Sequence, residues 1–511
     1  MKTNDQSLPT DVDALQKMVM HLQQQLSDTE QKHQRLLEQF RLAQNKRFGA
    51  SSEGHPGQGE LFNEAESLAE EADTESQDNT TTVTYERKQS KRQKLPEDLP
   101  RERIVHDIDD ADKVCGCCAG ALHHMGDDIS EKLEFIPAQV KVIEHVRPKY
   151  ACKACEDNGT RNQIKQAPMP SAIIPKGYAT PSLLAQVITS KYQYGLPLYR
   201  QESMFKQYGI DMSRKTLSDW MLRCSDKLQL LYDRLKVIQL EQPVIHADET
   251  TVNVVGDNNV KSYMWLYATG ADSPKDTLID SDIKPIVLFD YHNSRASRCT
   301  VEYLDGYQGY LQVDGYVGYH HTQATLVGCW AHARRKFHEA KIAQGKKPSG
   351  KADMALSTIQ KLYRIETQIK SLPIAERYRL RQEKSLPILD KFKQWLYTSE
   401  QQVLPKTKLG EAILYTLNQW DKLITFTHNG QLNIDNNRAE RCIKPFVIGR
   451  KNWLFRQTTK GAHASAVLYS VIETAKANGI IPFDYLMHVL SEIHQPDVDI
   501  DTLLPWNVSL D

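Results

Sequence analysis

Residues 243–255 read PVIHADETTVNVV, a run of apolar and β-branched residues with an acid, Asp248, at the end of its first half. Two similar runs follow, KSYMWLYAT at 261–269 and KPIVLFDYHNS at 284–294, and segments with Gly, Asp, Asn and Ser separate them. Runs of this composition between turn-forming residues predict strands. Three strands in direct succession predict a sheet whose first part is antiparallel.

Further along the chain, strands and helices alternate. GYLQVDGYVGY at 309–319 predicts a strand, and ATLVGCWAHARRKFHEA at 324–340 predicts a strand that runs into a basic helix. Residues 351–430 have the pattern of long helices, and NNRAERCIKPFVIGRKNWLF at 436–455 follows them. This order predicts an α/β sheet with a helical insertion at about 345–430.

Three acids occupy comparable places in these predicted elements. Asp248 ends the apolar run VIHAD, Asp314 ends YLQVD, and Glu440 lies in the first part of the helical pattern NNRAERCIK. Two strand-borne aspartates and a helix-borne glutamate are what a two-metal phosphoryl-transfer site requires, because hard ions such as Mg²⁺ bind carboxylate oxygens. Asp290, which ends PIVLFD, and Glu473 in VIETAKANG are alternatives of the same kind.

Glu440 is surrounded by basic residues that would offset its charge and hold a DNA backbone. These are Arg438, Arg441, Lys444, Arg450 and Lys451. The sequence has no P-loop and no G-x-G-x-x-G, so nothing in it supports the use of ATP or NAD. A Ser/His/Asp mechanism has no nucleophile elbow to support it.

The 511 residues carry a formal net charge of -1, so binding to nucleic acid would depend on local basic patches. No apolar run approaches the roughly 18 residues of a membrane span, and the N-terminus lacks the apolar region of a signal peptide. The 9 cysteines include CGCC and CKAC, which fit a reducing compartment better than disulfides. We therefore expect a cytoplasmic protein.

Two C-x-x-C pairs, Cys115 with Cys118 and Cys152 with Cys155, predict a four-sulfur zinc site. Such a closed site has no open position for water, so it would support folding and not catalysis. The alternative is reduced, buried cysteine. Cys117 lies inside the first pair and is expected to point away from the ion.

Residues 15–40 have heptad spacing, with steps of four and three between the seam positions. The seam consists of Leu15, Val19, Leu22, Leu26, Thr29, His33, Leu36 and Phe40. This pattern predicts a short coiled coil and hence a homodimer. The alternative is a single amphipathic helix docked on its own protein. The acidic and polar residues 64–80 and the basic run at 87–94 predict a solvated linker, with a phosphate-tracking arm as the alternative.

Residues 181–240 have a helical pattern that Gly209 interrupts. Ser213 is a good N-cap for the helix that follows, and Arg214 and Lys215 begin that helix. Helices joined by a short turn suggest a DNA-binding helix-turn-helix, while an ordinary helical hairpin fits the pattern equally well.

The block GCWAHARRKF also admits two interpretations. Cys329 and His332 have the spacing of a metal-binding pair, but no second pair accompanies them. A helix whose Trp330 and Phe337 face the core is the more economical interpretation. Its basic residues Arg334, Arg335 and Lys336 would then face DNA.

The chain resembles the transposases of bacterial insertion-sequence family 66, of the TnpC type. The matching blocks fall in order from about residue 11 to about residue 495. They are FGASSEGHPGQGELFNEAE, LPEDLPRERIVHD, CGCCAG, HVRPKYACKAC, GLPLYRQE, SRKTLSDW, HADET, LQVDGY, GCWAHARRKF, NNRAERCIKPFVIGRKNWLF and SVIETAKANG.

This resemblance implies a DDE transposase with an RNase H-like catalytic domain, a leucine-zipper-like helix, a zinc finger and a C-terminal extension. The acids it implies as catalytic, Mg²⁺- or Mn²⁺-binding residues are Asp248, Asp314 and Glu440. The structural Zn²⁺ ligands it implies are Cys115, Cys118, Cys152 and Cys155. CGCC departs from the family's usual first pair, so the choice among Cys115, Cys117 and Cys118 stays open.

We therefore predict a multidomain protein. Its parts are a coiled-coil dimerisation helix at 1–48, a flexible linker at 49–100, a four-cysteine zinc finger at 101–165, a helix-turn-helix-like helical domain at 166–240, the RNase H-like α/β catalytic domain with its helical insertion at 241–460, and a C-terminal helical extension at 461–511. The residues expected to bind DNA are Arg214, Lys215, Arg334, Arg335, Arg441, Lys444, Arg450 and Lys451.

The expected partners are transposon-end DNA, target DNA, further copies of the chain and accessory proteins of the same element, with no membrane. Two alternatives to a transposase stay open. One is a catalytically inactive dimeric DNA-binding regulator, and the other is an RNase H-like nuclease that does not join strands.

Overall fold

The computed structural model describes residues 11–48, 101–105, 124–125, 132, 139–150, 164–255, 261–271, 282–345, 350–453 and 458–510. The linker prediction at 49–100 and the four predicted zinc ligands lie outside these residues. The chain forms two compact units, one of Gln77–Ala167 and one of Met1–Ser76 with Pro168–Asp511.

The smaller unit contains one described hairpin. Strand β1 (Lys149–Tyr150) pairs antiparallel with β2 (Lys165–Gln166). The guanidinium of Arg147 donates through Nε to the carbonyl of Ala167 at 2.7 Å, which holds the two ends of this hairpin together.

The larger unit is built on a 5-stranded sheet with the order β5-β4-β3-β6-β7. Its strands are β3 (Val244–Val252), β4 (Ser262–Ala268), β5 (Val287–His292), β6 (Tyr310–Gln312) and β7 (Thr325–Val327). β3 pairs antiparallel with β4, and β4 with β5, whereas β3–β6 and β6–β7 are parallel. The predicted antiparallel start of the sheet is therefore confirmed, and so is the change to alternating strands and helices.

Helices surround this sheet and extend from it. Those that the structure describes are α1 (Val12–Phe48), α2 (Pro181–Tyr192), α3 (Leu198–Gln207), α4 (Arg214–Leu240), α5 (Ser297–Tyr303), α6 (Trp330–Gln344), α7 (Lys351–Ile369), α8 (Ile374–Leu380), α9 (Leu386–Glu400), α10 (Lys408–Asn418), α11 (Trp420–Ile424), α12 (Asn437–Arg450), α13 (Thr459–Ala477) and α14 (Pro482–Glu492). Short 3₁₀ turns cover Val317–His321, Thr425–His428 and Ile500–Leu503, and a π-helical turn covers Arg381–Ser385.

Alternating residues of the strands enter two different cores, as the period of a β-strand requires. On one face Ala247 of β3 packs with Trp265 and Tyr267 of β4, under α5. On the other face Leu266 of β4 packs with Phe446 of α12. Helix α12 lies directly against β3 and β4 on this second face.

Helix α13 covers the edge strand β5. The backbone amide of Phe289 donates to Ser470 Oγ at 2.8 Å, and that of Val287 donates to Thr474 Oγ1 at 3.0 Å. The Thr474 hydroxyl in turn donates to the Val287 carbonyl at 2.9 Å. Side chains of α13 thus satisfy backbone groups that an open sheet edge would expose.

Helices α2–α4 share one hydrophobic core with the sheet and the C-terminal helices. Leu184 of α2, Leu228 of α4 and Leu486 of α14 all belong to this core. The Tyr232 hydroxyl of α4 donates to the Phe289 carbonyl of β5 at 3.1 Å. The N-cap prediction is confirmed, because Ser213 accepts from the backbone amide of Thr216.

Helix α1 confirms the predicted N-terminal helix. Its seam is exposed, with Leu26 at 60% and Phe40 at 65% of their accessible surface. Another side of the same helix docks on the larger unit, where Glu38 accepts from the Lys408 amide at 3.1 Å and Arg41 donates to the Ala343 carbonyl at 2.7 Å. Docking of α1 on its own protein is therefore compatible with a coiled coil formed through the exposed seam, and pairing with a second copy stays a prediction.

Helices α7–α11 form the helical insertion between α6 and α12. Their core contains Leu389, Phe392 and Ile413 together with Trp330 and Phe337 of α6. The prediction that Trp330 and Phe337 face a core is confirmed. None of the described helices combines the length and the apolar character that crossing a membrane requires.

Candidate active site

The parallel pairing of β3 with β6 brings two of the predicted acids to the same level of the sheet, with Asp248 in the middle of β3 and Asp314 two residues beyond β6. His246 of β3 is in register with Gln312 of β6. Asp248 follows His246 by two residues, and Asp314 follows Gln312 by two residues. Because side chains two apart point to the same face of a strand, the two aspartates follow matching positions of the sheet.

Glu440 lies in the first turn of α12. This helix packs against β3 and β4. Asp248 pairs in register with Leu266, which packs with Phe446 of α12, so Asp248 lies on the face of the sheet that α12 covers. Asp314 and Glu440 both raise the pKa of Asp248 through their charges, so the three acids share one electrostatic environment. Asp248, Asp314 and Glu440 therefore lie in one region of the larger unit, although among the described residues they do not form a cluster of ligand atoms within 4.8 Å of one another.

Asn436, just ahead of α12, connects the elements that carry these acids. Its Nδ2 donates to the Ala247 carbonyl of β3 at 2.8 Å, and its Oδ1 lies 3.1 Å from His246 Nδ1. Its backbone amide donates to Cys329 Sγ at 3.3 Å. These three bonds fix the start of α12 against β3 and against the start of α6.

A second pair of hydrogen bonds fixes the same connection to β6. Gln312 donates through Nε2 to the Asn433 carbonyl at 2.7 Å, and the Asn433 amide returns a bond to Gln312 Oε1 at 3.4 Å. The position of Glu440 is therefore set by buried polar contacts with both aspartate-bearing strands.

Burial dominates the electrostatics of the two adjacent acids on β3. It is the largest cause that raises the pKa of Asp248 well above its usual value, followed by the charge of Glu249 and then that of Asp314. The bond from the Glu249 amide to Asp248 Oδ1, at 2.8 Å, acts in the opposite direction. Such crowding of like charges is costly without cations, which makes this a suitable place for them.

Glu249 points to the other face of the sheet, where it is held by polar partners. Arg295 donates to Glu249 Oε1 through Nε at 2.9 Å and also through Nη2, and Tyr319 donates to Oε2 at 2.9 Å. Burial nevertheless raises the pKa of Glu249. Arg295 lies over the ring of Tyr316, 3.9 Å from its centroid. Glu249 is thus held in a polar cluster behind Asp248.

Helix α6 adds two side chains to the site. Cys329, His332 and Glu440 each offer one ligand atom, and these atoms lie within 4.8 Å of one another. His332 Nδ1 is 3.9 Å from Glu440 Oε1, and burial followed by the charge of Arg335 lowers the pKa of the ring. Cys329 and His332, which no second metal-binding pair accompanies in the sequence, therefore lie beside Glu440.

The basic residues of α12 occupy different environments. Arg438 is buried and donates through Nε to the Thr269 carbonyl at 3.1 Å. Arg450 donates to Thr250 Oγ1 at 3.0 Å, and burial lowers the pKa of its guanidinium. The others that were predicted to bind DNA lie at or near the surface, with Arg441 and Lys451 exposed and Lys444 half-buried.

The remaining predicted DNA contacts lie on two other helices. Arg214 and Lys215 are exposed at the start of α4, and Arg214 Nε is 3.2 Å from Glu202 Oε2. Arg334 and Arg335 are half-buried on α6, in the turn that follows His332.

The two alternative acids lie elsewhere. Asp290 is on β5, which β4 separates from β3, and its Oδ2 is 2.7 Å from His292 Nε2. Glu473 is buried on α13, where Lys476 donates to both of its oxygens at 2.9 and 2.8 Å. Neither acid is among the charges that raise the pKa of Asp248.

Sequence reasoning did not identify Asn436, His246 or Glu249 as residues of the site. Glu249 follows Asp248 directly and could have been suspected for that reason. Asn436 and His246 are separated by 190 positions, and nothing in their local patterns indicates that they meet.

Four family models match the chain. Residues 176–464 match the Transposase IS66 family, residues 112–156 match the zinc-finger binding domain of transposase IS66, residues 35–104 match the Transposase C of IS166 homeodomain, and residues 470–506 match the IS66 C-terminal element. The zinc-finger match spans all four predicted cysteine ligands, which supports a structural zinc ion.

Similar proteins occur in Sinorhizobium fredii (strain NBRC 101917 / NGR234). The uncharacterized protein y4jD is 35% identical over 431 residues, which cover 82% of this chain and 82% of that protein. The uncharacterized protein y4hP is 34% identical over 443 residues, which cover 83% of this chain and 78% of that protein.

Proposed function

The chain belongs to the transposase IS66 family, and from this premise we propose that it binds the ends of an insertion sequence, cuts DNA there and joins the freed ends to target DNA. Asp248, Asp314 and Glu440 would be the catalytic acids. The observation that carries this proposal is their arrangement, two at matching levels of the parallel pair β3–β6 and one in the first turn of the helix packed beside them.

The donor chemistry of these acids fits a hard divalent ion. Carboxylate oxygens are the ligands that Mg²⁺ and Mn²⁺ prefer, and Asp248 and Glu249 lie where burial and like charges make an added cation favourable. When bound, a pair of such ions would neutralise charge that develops on the attacking and leaving oxygens of a phosphodiester. Asp248, Asp314 and Glu440 would hold them.

The same acids can serve both proposed reactions. In the first, a water oxygen bonds to phosphorus while the bond to the bridging oxygen breaks, and that oxygen leaves as a 3′-hydroxyl. In the second, the 3′-hydroxyl loses its proton and its oxygen bonds to a target phosphorus, while the bond from that phosphorus to the target's own bridging 3′-oxygen breaks and that oxygen leaves as a hydroxyl. Both are in-line displacements that need charge stabilisation and positioning, and neither needs a covalent bond to the protein.

The sheet supports an RNase H-like catalytic domain within this proposal. Three antiparallel strands followed by two parallel ones, in the order β5-β4-β3-β6-β7 and covered by helices, are compatible with that fold. The helices α7–α11 would be its insertion.

Three regions would contact DNA or a second copy. Near the acids, DNA phosphates would be bound by the exposed Arg441 and Lys451, together with Arg334, Arg335 and Lys444. The ends of the element would be contacted by Arg214, Lys215 and the zinc finger. Arg450 would contribute less, because it already binds β3. The exposed seam of α1 would pair two copies. All of this would take place in the bacterial cytoplasm at the nucleoid.

Asp314→Asn tests the proposal, with Asp290→Asn as the matched control. Both replace an aspartate in a strand or just beyond one, but the charge of Asp314 raises the pKa of Asp248, whereas Asp290 lies on β5, which β4 separates from β3. We expect Asp314→Asn to abolish Mg²⁺-dependent cutting of end-containing DNA while end binding is retained, and Asp290→Asn to cut normally. Normal cutting by Asp314→Asn would refute the assignment of the acids.

Product analysis separates the proposed reaction from its two rivals. Joined strands in the reaction products would support a transposase. Cut but never joined strands would indicate a nuclease, and binding without any nicking in Mg²⁺ or Mn²⁺ would indicate a regulator.

A further inference from the structure

The start of helix α6 and the first turn of α12 create a second cluster of metal-binding atoms at the proposed active site. Cys329 precedes α6 and His332 lies in its first turn, three residues later, so both side chains reach the same side of the helix end. Glu440 completes the cluster from α12, and the three ligand atoms lie within 4.8 Å of one another. Sulfur, imidazole nitrogen and carboxylate oxygen are the three ligand types that zinc accepts.

His332 supplies a second observation that points to an ion. Its Nδ1 is buried and has no hydrogen-bond partner within the described part of the chain. This nitrogen is 3.9 Å from Glu440 Oε1, too far for a hydrogen bond. Two ligand atoms that each lie about 2.0–2.1 Å from one tetrahedral zinc ion are separated by roughly 3.4 Å. An ion between the two side chains would therefore need this gap to close by about half an ångström.

The surroundings of Cys329 suit a metal-bound thiolate. The Asn436 amide donates to Sγ at 3.3 Å, and the sulfur stands at the N-terminal end of α6, where the helix dipole favours negative charge. Hydrogen bonds from outside the ligand set are what orients the ligands of protein metal sites. Binding of an ion would release the thiol proton.

We propose that Cys329, His332 and Glu440 form a second cation position that takes Zn²⁺ or a similar borderline ion. It differs from the all-oxygen position of Asp248 and Asp314, with which it shares Glu440. An ion there would tie the start of α6 to the start of α12 and so hold Glu440 in place beside β3. The inference rests on the proposed function only for the role of Glu440 in catalysis.

Metal content of the full-length protein tests this position. Cys329→Ser is compared with Cys224→Ser, a matched control in which an equally buried thiol is lost from α4, outside the cluster. After loading with Zn²⁺ and dialysis, we expect Cys329→Ser to hold one ion fewer per chain than the wild type, and Cys224→Ser to hold the same number. Equal zinc content in Cys329→Ser and the wild type would overturn the proposal.

A second variant and a second ion distinguish the loss of a metal ligand from misfolding of the variant protein. His332 is partly exposed, so His332→Gln is a milder change, and we expect it to lower the affinity for this ion by at least about tenfold. With Co²⁺ as the probe, one cobalt–sulfur bond here and four in the finger predict that Cys329→Ser loses roughly one fifth of the charge-transfer absorbance. Unchanged affinity in His332→Gln or unchanged absorbance in Cys329→Ser would count against the site.

These readouts fail independently of the proposed function. If Asp314→Asn still cuts DNA but Cys329→Ser loses an ion, the catalytic assignment falls and the cation position stands. If Asp314→Asn abolishes cutting while both cysteine variants hold as much zinc as the wild type, the catalytic assignment stands and the cation position falls.

Discussion

Arg381 holds the segment that leads into Glu440, and its replacement by Met should loosen that segment. The residue is in the π-helical turn of the insertion and is 0% exposed. Its Nε and Nη2 bind the two oxygens of Glu366 at 2.9 and 2.6 Å. Its nitrogens also donate to the carbonyls of Phe426, Asn429 and Leu432, each at 2.8 Å.

The cost can be estimated from these contacts. Removing one partner of a buried ion pair costs about 3–5 kcal/mol. Glu366 would keep only the longer contact with Arg377, whose Nη2 is 3.9 Å from Glu366 Oε2. Each carbonyl left without a donor adds about 1–3 kcal/mol unless water enters. A local cost of about 3–5 kcal/mol is therefore a conservative value for Arg381→Met. It corresponds to a change of roughly two to almost four powers of ten in the equilibrium for local opening.

Hydrogen exchange followed by mass spectrometry measures this opening directly. Peptides that cover residues 425–432 should exchange faster by about two powers of ten or more in Arg381→Met. Arg379→Met is the matched control, because Arg379 is two residues away and binds Glu376 and Glu383 with a side chain that is 59% exposed. Surface pairs contribute about 0–1 kcal/mol, so the control should change exchange by no more than about fivefold.

The double variant Glu366→Gln/Arg381→Met isolates the charge. We expect it to recover only part of the lost protection, because it removes the buried carboxylate but leaves the buried Arg377 without the carboxylate that lies 3.9 Å from it. If Arg381→Met exchanges within about fivefold of Arg379→Met at residues 425–432, the reasoning that this arginine anchors the segment is wrong.

Three further outcomes are expected. In a thermal-shift assay, Asp248→Asn should raise the melting temperature of the metal-free protein by roughly 2 °C or more. This gain should grow as the pH rises, because a carboxyl whose folded-state pKa is raised destabilises the fold once it ionises. Mg²⁺ should stabilise the wild type more than the variant in the same assay. Leu22→Asp with Leu26→Asp should convert a dimer to a monomer in light scattering after gel filtration, since both side chains lie in the exposed seam. The fragment 168–511 should be folded by circular dichroism, whereas 241–490 should not, because the shorter one lacks helices that complete the core of the sheet.

Local patterns in the sequence were sufficient for the elements and for their order. The run of apolar and β-branched residues in PVIHADETTVNVV predicts β3, and the N-cap at Ser213 predicts the start of α4, because both signals depend on neighbours within a few residues. The same holds for Trp330 and Phe337, which are spaced to face one side of α6. None of these predictions required knowledge of distant contacts.

Long-range pairing was beyond such patterns. The alternative acid Asp290 ends an apolar run just as Asp248 does. The strand order separates them by placing β4 between β3 and β5, and the register pairs Asp290 with Trp265 but Asp248 with Leu266, on opposite faces of the sheet. The position of the segment before α12 against β6 depends on the buried side chain of Gln312, which exchanges two hydrogen bonds with Asn433. Helix α1 illustrates the same limit, because its exposed seam was visible in the heptads while its docking through Glu38 and Arg41 was not.

The charges at the proposed site also suggest an order of binding. Asp248 and Glu249 are buried acids whose pKa values are raised by burial and by neighbouring carboxylates, so the ion-free site repels further negative charge. A DNA phosphate brings such charge, and cations must therefore neutralise the acids before the backbone can approach them. We accordingly expect end binding without divalent ions to depend on basic residues elsewhere, such as Arg214 and Lys215. Asp314→Asn removes one negative charge, and for that reason it should retain end binding while it loses cutting.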